Sequence, residues 1–288
     1  MKRVLRISTL VVIIAMIMAW NLAGEMSAEA ATNLPEYVRI GLYSNDAHSN
    51  IKAVNSFNVS ADKGLQFGIY IDGKFSPLIE ESSSNTVIVR KDSYFVKNNN
   101  VVAEYSPGGK NIPEGEKTGP YHVKIGDAYT DYKSLEAQIK TIREMGIDAY
   151  PVYADSWQIW TGFYTDQDAT EKDIDSTIKG TLGDGSYTVV QPSSSRITVL
   201  RSDNKVALVF DSEKGLFHIR PKKENNPYII KLDSVPYRGY LEVRRIEGSD
   251  MTVINMLPLE EYIYGVVPYE IEANSHIEAL KAQAVAAR

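Results

Sequence analysis

The chain has no cysteine, and that absence excludes disulfides, thiolate nucleophiles and Cys-based zinc or redox motifs from these 288 residues. Histidine is nearly as scarce. His48, His122, His218 and His276 stand far apart in HxH- and HExxH-free surroundings, so no metal site and no cofactor is read from the sequence. An excess of positive charge is missing as well: 31 Lys and Arg against 37 Asp and Glu give a net charge of −6, with the basic residues scattered. That balance counts against a phosphate-backbone partner, and no nucleic acid is expected. Beyond the first two dozen residues no apolar run reaches the ~18 residues that a membrane span requires.

The apolar run that does exist opens the chain. Lys2, Arg3 and Arg6 precede Ile7 to Ala23, and Ala28-Glu29-Ala30 follows as a small-residue A-x-A site. Residues 1–30 are therefore expected to be a secretory signal peptide, an uncleaved anchor being the alternative. On either reading the remaining chain faces outward, and a membrane is met only through this segment.

Short alternating runs follow: Val38 to Leu42, Phe57 to Val59, Gln66 to Tyr70 and Thr86 to Val89, with Asp72-Gly73 as a hairpin signal. Residues 36–105 read as β-rich, and 106–120, rich in Gly, Pro and charge, as a linker. The next block repeats itself. Tyr121-His122-Val123-Lys124-Ile125-Gly126 is echoed 36 residues on by Trp157-Gln158-Ile159-Trp160-Thr161-Gly162. Each echo leads into an amphipathic helix, with Leu135, Ile139 and Ile142 in the first and Ala169, Ile174 and Ile178, less regularly, in the second. A further strand follows each helix, which gives a βαββαβ unit over residues 121–192 with both helices on one face of a four-stranded sheet. Residues 196–288 return to strands and end in a helix that Ser275 and Glu278 open as a capping box. No Gly, Asn or Pro closes that helix before Arg288, so the chain is expected to continue beyond it.

The densest text lies near the end: Tyr237-Arg238-Gly239-Tyr240-Leu241, then Leu257-Pro258-Leu259-Glu260-Glu261-Tyr262, Gly265-Val266-Val267-Pro268-Tyr269-Glu270 and Glu278-Ala279-Leu280-Lys281-Ala282-Gln283-Ala284. Glu270 sits among apolar neighbours. Read alone it is either an ordinary exposed glutamate or a carboxyl group whose pKa is raised by apolar surroundings, as a proton donor to a glycosidic oxygen requires. One of Glu260 and Glu261 is read as a brace of the strand–helix junction through Lys281 or Arg238, a second acid pair being the alternative. Lys281 and Arg288, seven residues apart, share a helix face that either contacts glycan or is solvated.

These spaced motifs, in this order, resemble the stage II sporulation protein D / amidase enhancer (SpoIID/LytB) family. The resemblance is clear over about residues 195 to 288 and weaker over Val38 to Tyr105. It implies that Glu270 is the catalytic residue of a peptidoglycan lytic transglycosylase, acting first as acid and then as base, with peptidoglycan glycan strands as substrate. It also implies an exported, cell-wall-associated protein of sporulation or wall remodelling. A non-catalytic enhancer of a cell-wall amidase is the alternative.

The repeated block resembles the sporulation-related repeat (SPOR) domain, which implies binding of glycan strands stripped of stem peptides. Strand alternation turns Val123, Ile125 and Ile159 toward the helices and His122, Lys124, Gln158 and Trp160 away from them. On this reading those four are substrate-binding residues, Trp160 stacking on sugar rings, unless Trp160 packs under a linker or neighbouring domain. The expected fold class is α+β: a β-rich domain, incomplete at its C-terminus, split by a βαββαβ (RNP-like) module.

Overall fold

Alternation of apolar and polar residues along short segments produces a strand-rich α+β fold in the computed structural model, which describes residues 36–45, 52–71, 73–82, 86–98, 101–211, 215–222, 228–245 and 250–288. The expected signal peptide and His48 lie outside the described residues. No helix among the described residues is long and apolar enough to cross a membrane.

The strands before the repeated block are β1 (Tyr37–Tyr43), β2 (Ser56–Ser60), β3 (Leu65–Ile71), β4 (Lys74–Glu81), β5 (Thr86–Lys91), β6 (Phe95–Asn98), β7 (Val101–Glu104) and β8 (Glu116–Thr118). The block itself holds β9 (Tyr121–Tyr129), α1 (Tyr132–Glu144), β10 (Ala149–Ala154), β11 (Ser156–Tyr164), α2 (Gln167–Asp173), a π turn (Ile174–Ile178), α3 (Lys179–Leu182) and β12 (Tyr187–Val190). After it come β13 (Arg196–Arg201), β14 (Val206–Asp211), β15 (Phe217–Pro221), β16 (Ile229–Leu232), β17 (Val235–Arg238), β18 (Tyr240–Arg245), β19 (Met251–Pro258), α4 (Leu259–Glu270) and α5 (Ile277–Ala287).

Strands from either side of the repeated block interleave. One sheet runs β1-β19-β18-β15-β3-β4, and a longer one runs β12-β9-β11-β10-β14-β13-β5-β2-β16-β17. The four strands of the block, in the order β12-β9-β11-β10, are antiparallel to one another. They do not end as a sheet of their own, because β10 pairs in parallel with β14 through Val152↔Val209 and Tyr153↔Phe210. A small third sheet, β7-β6-β8, takes its last strand from the segment read as a linker. Glu116-Lys117-Thr118 gives no apolar signal, since backbone pairing with β6 is what makes it a strand.

One face of the long sheet is covered by two different partners. Against β14 lies the six-stranded sheet, whose Phe217 stacks on Phe210 of β14 at 4.7 Å and on Phe67 of its own sheet at 6.0 Å between centroids. Against β9, β11 and β10 lie the helices. Asp131 caps α1 by accepting from Ser134 N at 2.9 Å, and the helix buries Leu135, Ile139 and Ile142. The second helical stretch buries Thr170, Ile174 and Ile178, every fourth residue. That spacing lies within the apolar stripe of a helix, which widens to a π turn at Ile174–Ile178. Ala169, read as the first position of that stripe, is only half-buried, and Thr170 takes its place.

The β16–β17 hairpin carries no Gly or Asn at its turn. Asp233 and Ser234 both take positive φ (46° and 74°), a conformation that L-residues adopt at a cost. Asp233 repays it locally, since its Oδ1 accepts from Asn58 N at 2.8 Å and its Oδ2 from Tyr43 Oη at 2.9 Å.

Candidate functional site

The motif-rich C-terminal region is built on one corner. Gly239 lies between β17 and β18 at φ +89°, and a Cβ there would collide with the Met256 carbonyl oxygen of β19. Only glycine fits this approach. Asn255 is buried and donates from Nδ2 to Arg238 O at 2.9 Å and to Tyr240 O at 3.2 Å, holding the backbone on both sides of that glycine. Arg238 in turn pairs with Glu261 in the first turn of α4. This is the brace expected of Glu261, with Arg238 rather than Lys281 as its partner. The Tyr237-Arg238-Gly239 and Leu257-Pro258-Leu259-Glu260-Glu261 motifs therefore meet in space and fix where α4 begins.

At the far end of α4 stands Glu270, its last residue, exposed to solvent. The apolar setting expected around it is corrected by the structure. Tyr269 beside it is 94 % exposed and Tyr264 is exposed too, because among the described residues α4 buries Ile263 alone. Lys281 falls on α5 and Arg288 is its C-cap, and both are paired: Lys281 with Glu278 at 2.9 Å and Arg288 with Glu260. The Arg288–Glu260 pair joins the two helices. The cap of α5 also differs from the expected Ser275 box. His276 is the N-cap, its Nδ1 accepting from Glu278 N at 3.2 Å.

The face of β9 and β11 turned from the helices is the second expected site, and here the structure corrects the reading. Alternation is as expected: Val123, Ile125 and Ile159 join the helix-side core. The opposite face is not open to solvent. His122 is 0 % and Trp160 5 % exposed, and Lys124 and Gln158 are half-buried. Trp160 donates from Nε1 to Gln158 Oε1 at 2.9 Å, stacks on His122 at 5.2 Å and lies 5.2 Å under the Arg196 guanidinium. Phe163 closes edge-on over His122 at 4.9 Å. A ring enclosed in this way offers no face to a sugar, so His122 and Trp160 are structural residues.

What encloses them is a set of charges that the sequence did not reveal. Asp92, just after β5, is fully buried, with His122 Nε2 at 3.0 Å and Arg196 Nε at 3.1 Å from its Oδ2. Burial pushes the Asp92 carboxyl up, but the facing His122, Arg196 and Arg245 outweigh that and hold it below the usual carboxylate range. His122 Nδ1 lies 2.8 Å from Gly162 O, and Tyr150 Oη donates to the same oxygen at 2.6 Å. The arginines reach further. Arg196 Nη2 donates to Pro120 O (3.2 Å) and Gln191 O (2.6 Å), and Arg245 Nη1 to Asp92 O, Ser193 O and Arg196 O (2.8, 3.2 and 2.8 Å). Both ends of the repeated block are thereby tied to the strands that flank it. A lone Asp in Lys91-Asp92-Ser93 has no sequence signal for such a role.

A second buried carboxylate, Glu242 on β18, accepts from Arg39 Nη2 at 2.7 Å, pairs with Arg244 and has His218 Nε2 at 3.6 Å. Burial acts to raise its pKa, and these partners lower it to about 2. Among the described residues no group of three or more His, Asp or Glu is placed to hold a metal ion.

Comparison with known proteins bears on the corner and the two helices. Over 57 residues, 20 % of its length, the chain is 55 % identical to an uncharacterised protein of Brachyspira hyodysenteriae (strain ATCC 49526 / WA1). It spans 15 % of that relative. No solved structure matches the chain. Residues 247–288, which carry β19, α4 and α5, match the family described as stage II sporulation protein (SpoIID), and this likeness points to a role in sporulation or the cell wall.

Proposed function

We propose that the protein acts outside the cytoplasm on peptidoglycan glycan strands, as a lytic transglycosylase with Glu270 as its acid and base. The observation that carries this reading is the coincidence of the matched segment with an accessible glutamate. Glu270 ends α4 within residues 247–288, solvent can reach it, and no ion pair engages it among the described residues. Exposed Tyr264 and Tyr269 on the same helix supply rings of the kind on which sugars stack.

The chemistry also asks for a carboxyl in its acid form, which a glycan strand covering the exposed Glu270 would favour by taking it out of water. The protonated Glu270 carboxyl gives its proton to the glycosidic oxygen as the bond from the muramoyl C1 breaks. The carboxylate then takes the proton of the 6-hydroxyl, whose oxygen bonds to C1 and closes a 1,6-anhydro ring. One carboxyl group thus serves both steps. The enclosed rings of His122 and Trp160 take no part in holding the glycan.

Incubating the protein with denuded glycan strands and separating the products by mass tests this. Anhydromuramoyl ends are expected from the wild type and none from Glu270→Gln, with an unchanged circular dichroism spectrum. Equal product from Glu270→Gln would remove Glu270 from the mechanism. Binding of sacculi without release of anhydro sugar, together with stimulation of an added amidase, would favour the enhancer reading.

A further inference from the structure

The arginines of the fold share a habit that one of them breaks. Arg39, Arg143, Arg196, Arg201, Arg220, Arg238, Arg244, Arg245 and Arg288 each donate to an oxygen of the protein. Arg90 on β5 does not. Among the described residues its guanidinium has no hydrogen bond or ion pair, and its Nε is buried without a partner. Burial acts to lower its pKa, an effect that the nearby Asp92 charge opposes.

Its surroundings explain how such a charge is held. The guanidinium carbon lies 4.6 Å from the Phe95 ring centroid and 5.6 Å from that of Phe163. Aromatic faces stabilise the cation through its plane and leave the in-plane N–H donors unused. Those donors border open space. Two cavities, of about 190 and 250 Å3, lie between the long sheet and the small β7-β6-β8 sheet. Both are lined by Arg90, Phe95, Val102, Leu200 and Asn204, so they form one cleft with Arg90 at its middle.

We propose that this cleft is a binding site for a small ligand with a single carboxylate, which pairs with Arg90 while its body rests on Phe95, Leu200 and Val102. One guanidinium balances one negative charge. Lys97, Glu116 and Asp148 also line one cavity and Asp233 the other, so three carboxylates face two cations, a balance that disfavours a multiply charged phosphate. A planar carboxylate also fits the paired N–H edge of a guanidinium. The site is independent of Glu270 and stands or falls without it.

The carboxylate has two evident sources, a sugar acid or a peptide C-terminus, and titration calorimetry on the full chain separates them. The probes are N-acetylmuramic acid, N-acetyl-D-alanyl-D-alanine, N-acetylglucosamine as the uncharged sugar, and inorganic phosphate. At least one of the two carboxylates is expected to bind at least tenfold tighter than both N-acetylglucosamine and phosphate. Arg90→Met should weaken that binding at least tenfold. Should Arg90→Met fail to fold, Val102→Trp decides, since Val102 is exposed at the cleft and a bulky side chain there should weaken binding at least tenfold without touching the core. Failure of both carboxylates to bind overturns the proposal, as do tighter binding of phosphate and unchanged affinity in either folded variant.

Discussion

Replacing Asp92 by Asn tests the buried junction most sharply. The substitution keeps the side chain's shape and removes its charge. Arg196 cannot respond by losing its proton, and it is only 2 % exposed. An arginine left buried without its carboxylate costs about 3–5 kcal/mol. For a chain of this size each kcal/mol moves Tm by about 2–4 °C, so a drop of roughly 6–20 °C is expected. Scanning calorimetry of the purified protein measures it. A second variant separates loss of the pair from loss of shape: Asp92→Asn combined with Arg196→Met removes both charges, and should be markedly more stable than the sum of the single effects. The reasoning fails if Asp92→Asn lies within ~1 kcal/mol of wild type, or if the two substitutions add. Limited proteolysis offers a structural readout, since the backbone at Pro120, Gln191 and Ser193 is held by Arg196 and Arg245. Cleavage in the variant should concentrate at those two junctions.

Three further outcomes are expected. Glu242 has a pKa lowered from 4.5 to about 2 in the fold, so its stabilisation is complete above the unfolded value and is lost as pH falls through that window. The shift corresponds to on the order of 3 kcal/mol, and acid titration of stability should be flatter in Glu242→Gln, an unchanged slope counting against the pairing. Gly239→Ala forces a Cβ into the Met256 carbonyl at φ +89°, and should cost more than the ~1–3 kcal/mol of left-handed strain alone, read from the urea midpoint. Trp160→Ala should lower stability by about 3–5 kcal/mol as a core truncation does, whereas Lys124→Ala should leave the unfolding midpoint nearly unchanged. A stable Trp160→Ala would mean that the ring is not part of the core.

Local pattern was legible and non-local cover was not. The alternation in Tyr121-His122-Val123-Lys124-Ile125 and its echo assigned the two faces of β9 and β11, and the structure has Val123, Ile125 and Ile159 where that alternation puts them. Nothing in those residues indicates what lies on the other face, because much of the cover comes from Asp92 upstream and Arg196 downstream. A sheet face with His and Trp on it reads as exposed until its partner is known. The β16–β17 hairpin escaped for a different reason: its turn residues, Asp233 and Ser234, adopt positive φ because tertiary hydrogen bonds hold Asp233 there, and a turn signal based on Gly or Asn misses it. The stripe read as Ala169, Ile174 and Ile178 is Thr170, Ile174 and Ile178 in the structure, and nothing in that spacing marks the π turn. At the candidate site the motifs located the Gly239 corner and Glu270, but neighbouring sequence is a poor guide to burial. Tyr264 and Tyr269, on the same helix as Glu270, face water.

The parallel joint between β10 and β14 also bears on how the protein tolerates cutting. Residues 121–192 look separable in the sequence, yet excising them would strip the partner from β14 and leave β10 with an unpaired edge. Bare strand edges of this kind recruit strands from other molecules. The excised piece and the remainder are both therefore candidates for aggregation, and the block is better studied in place than alone.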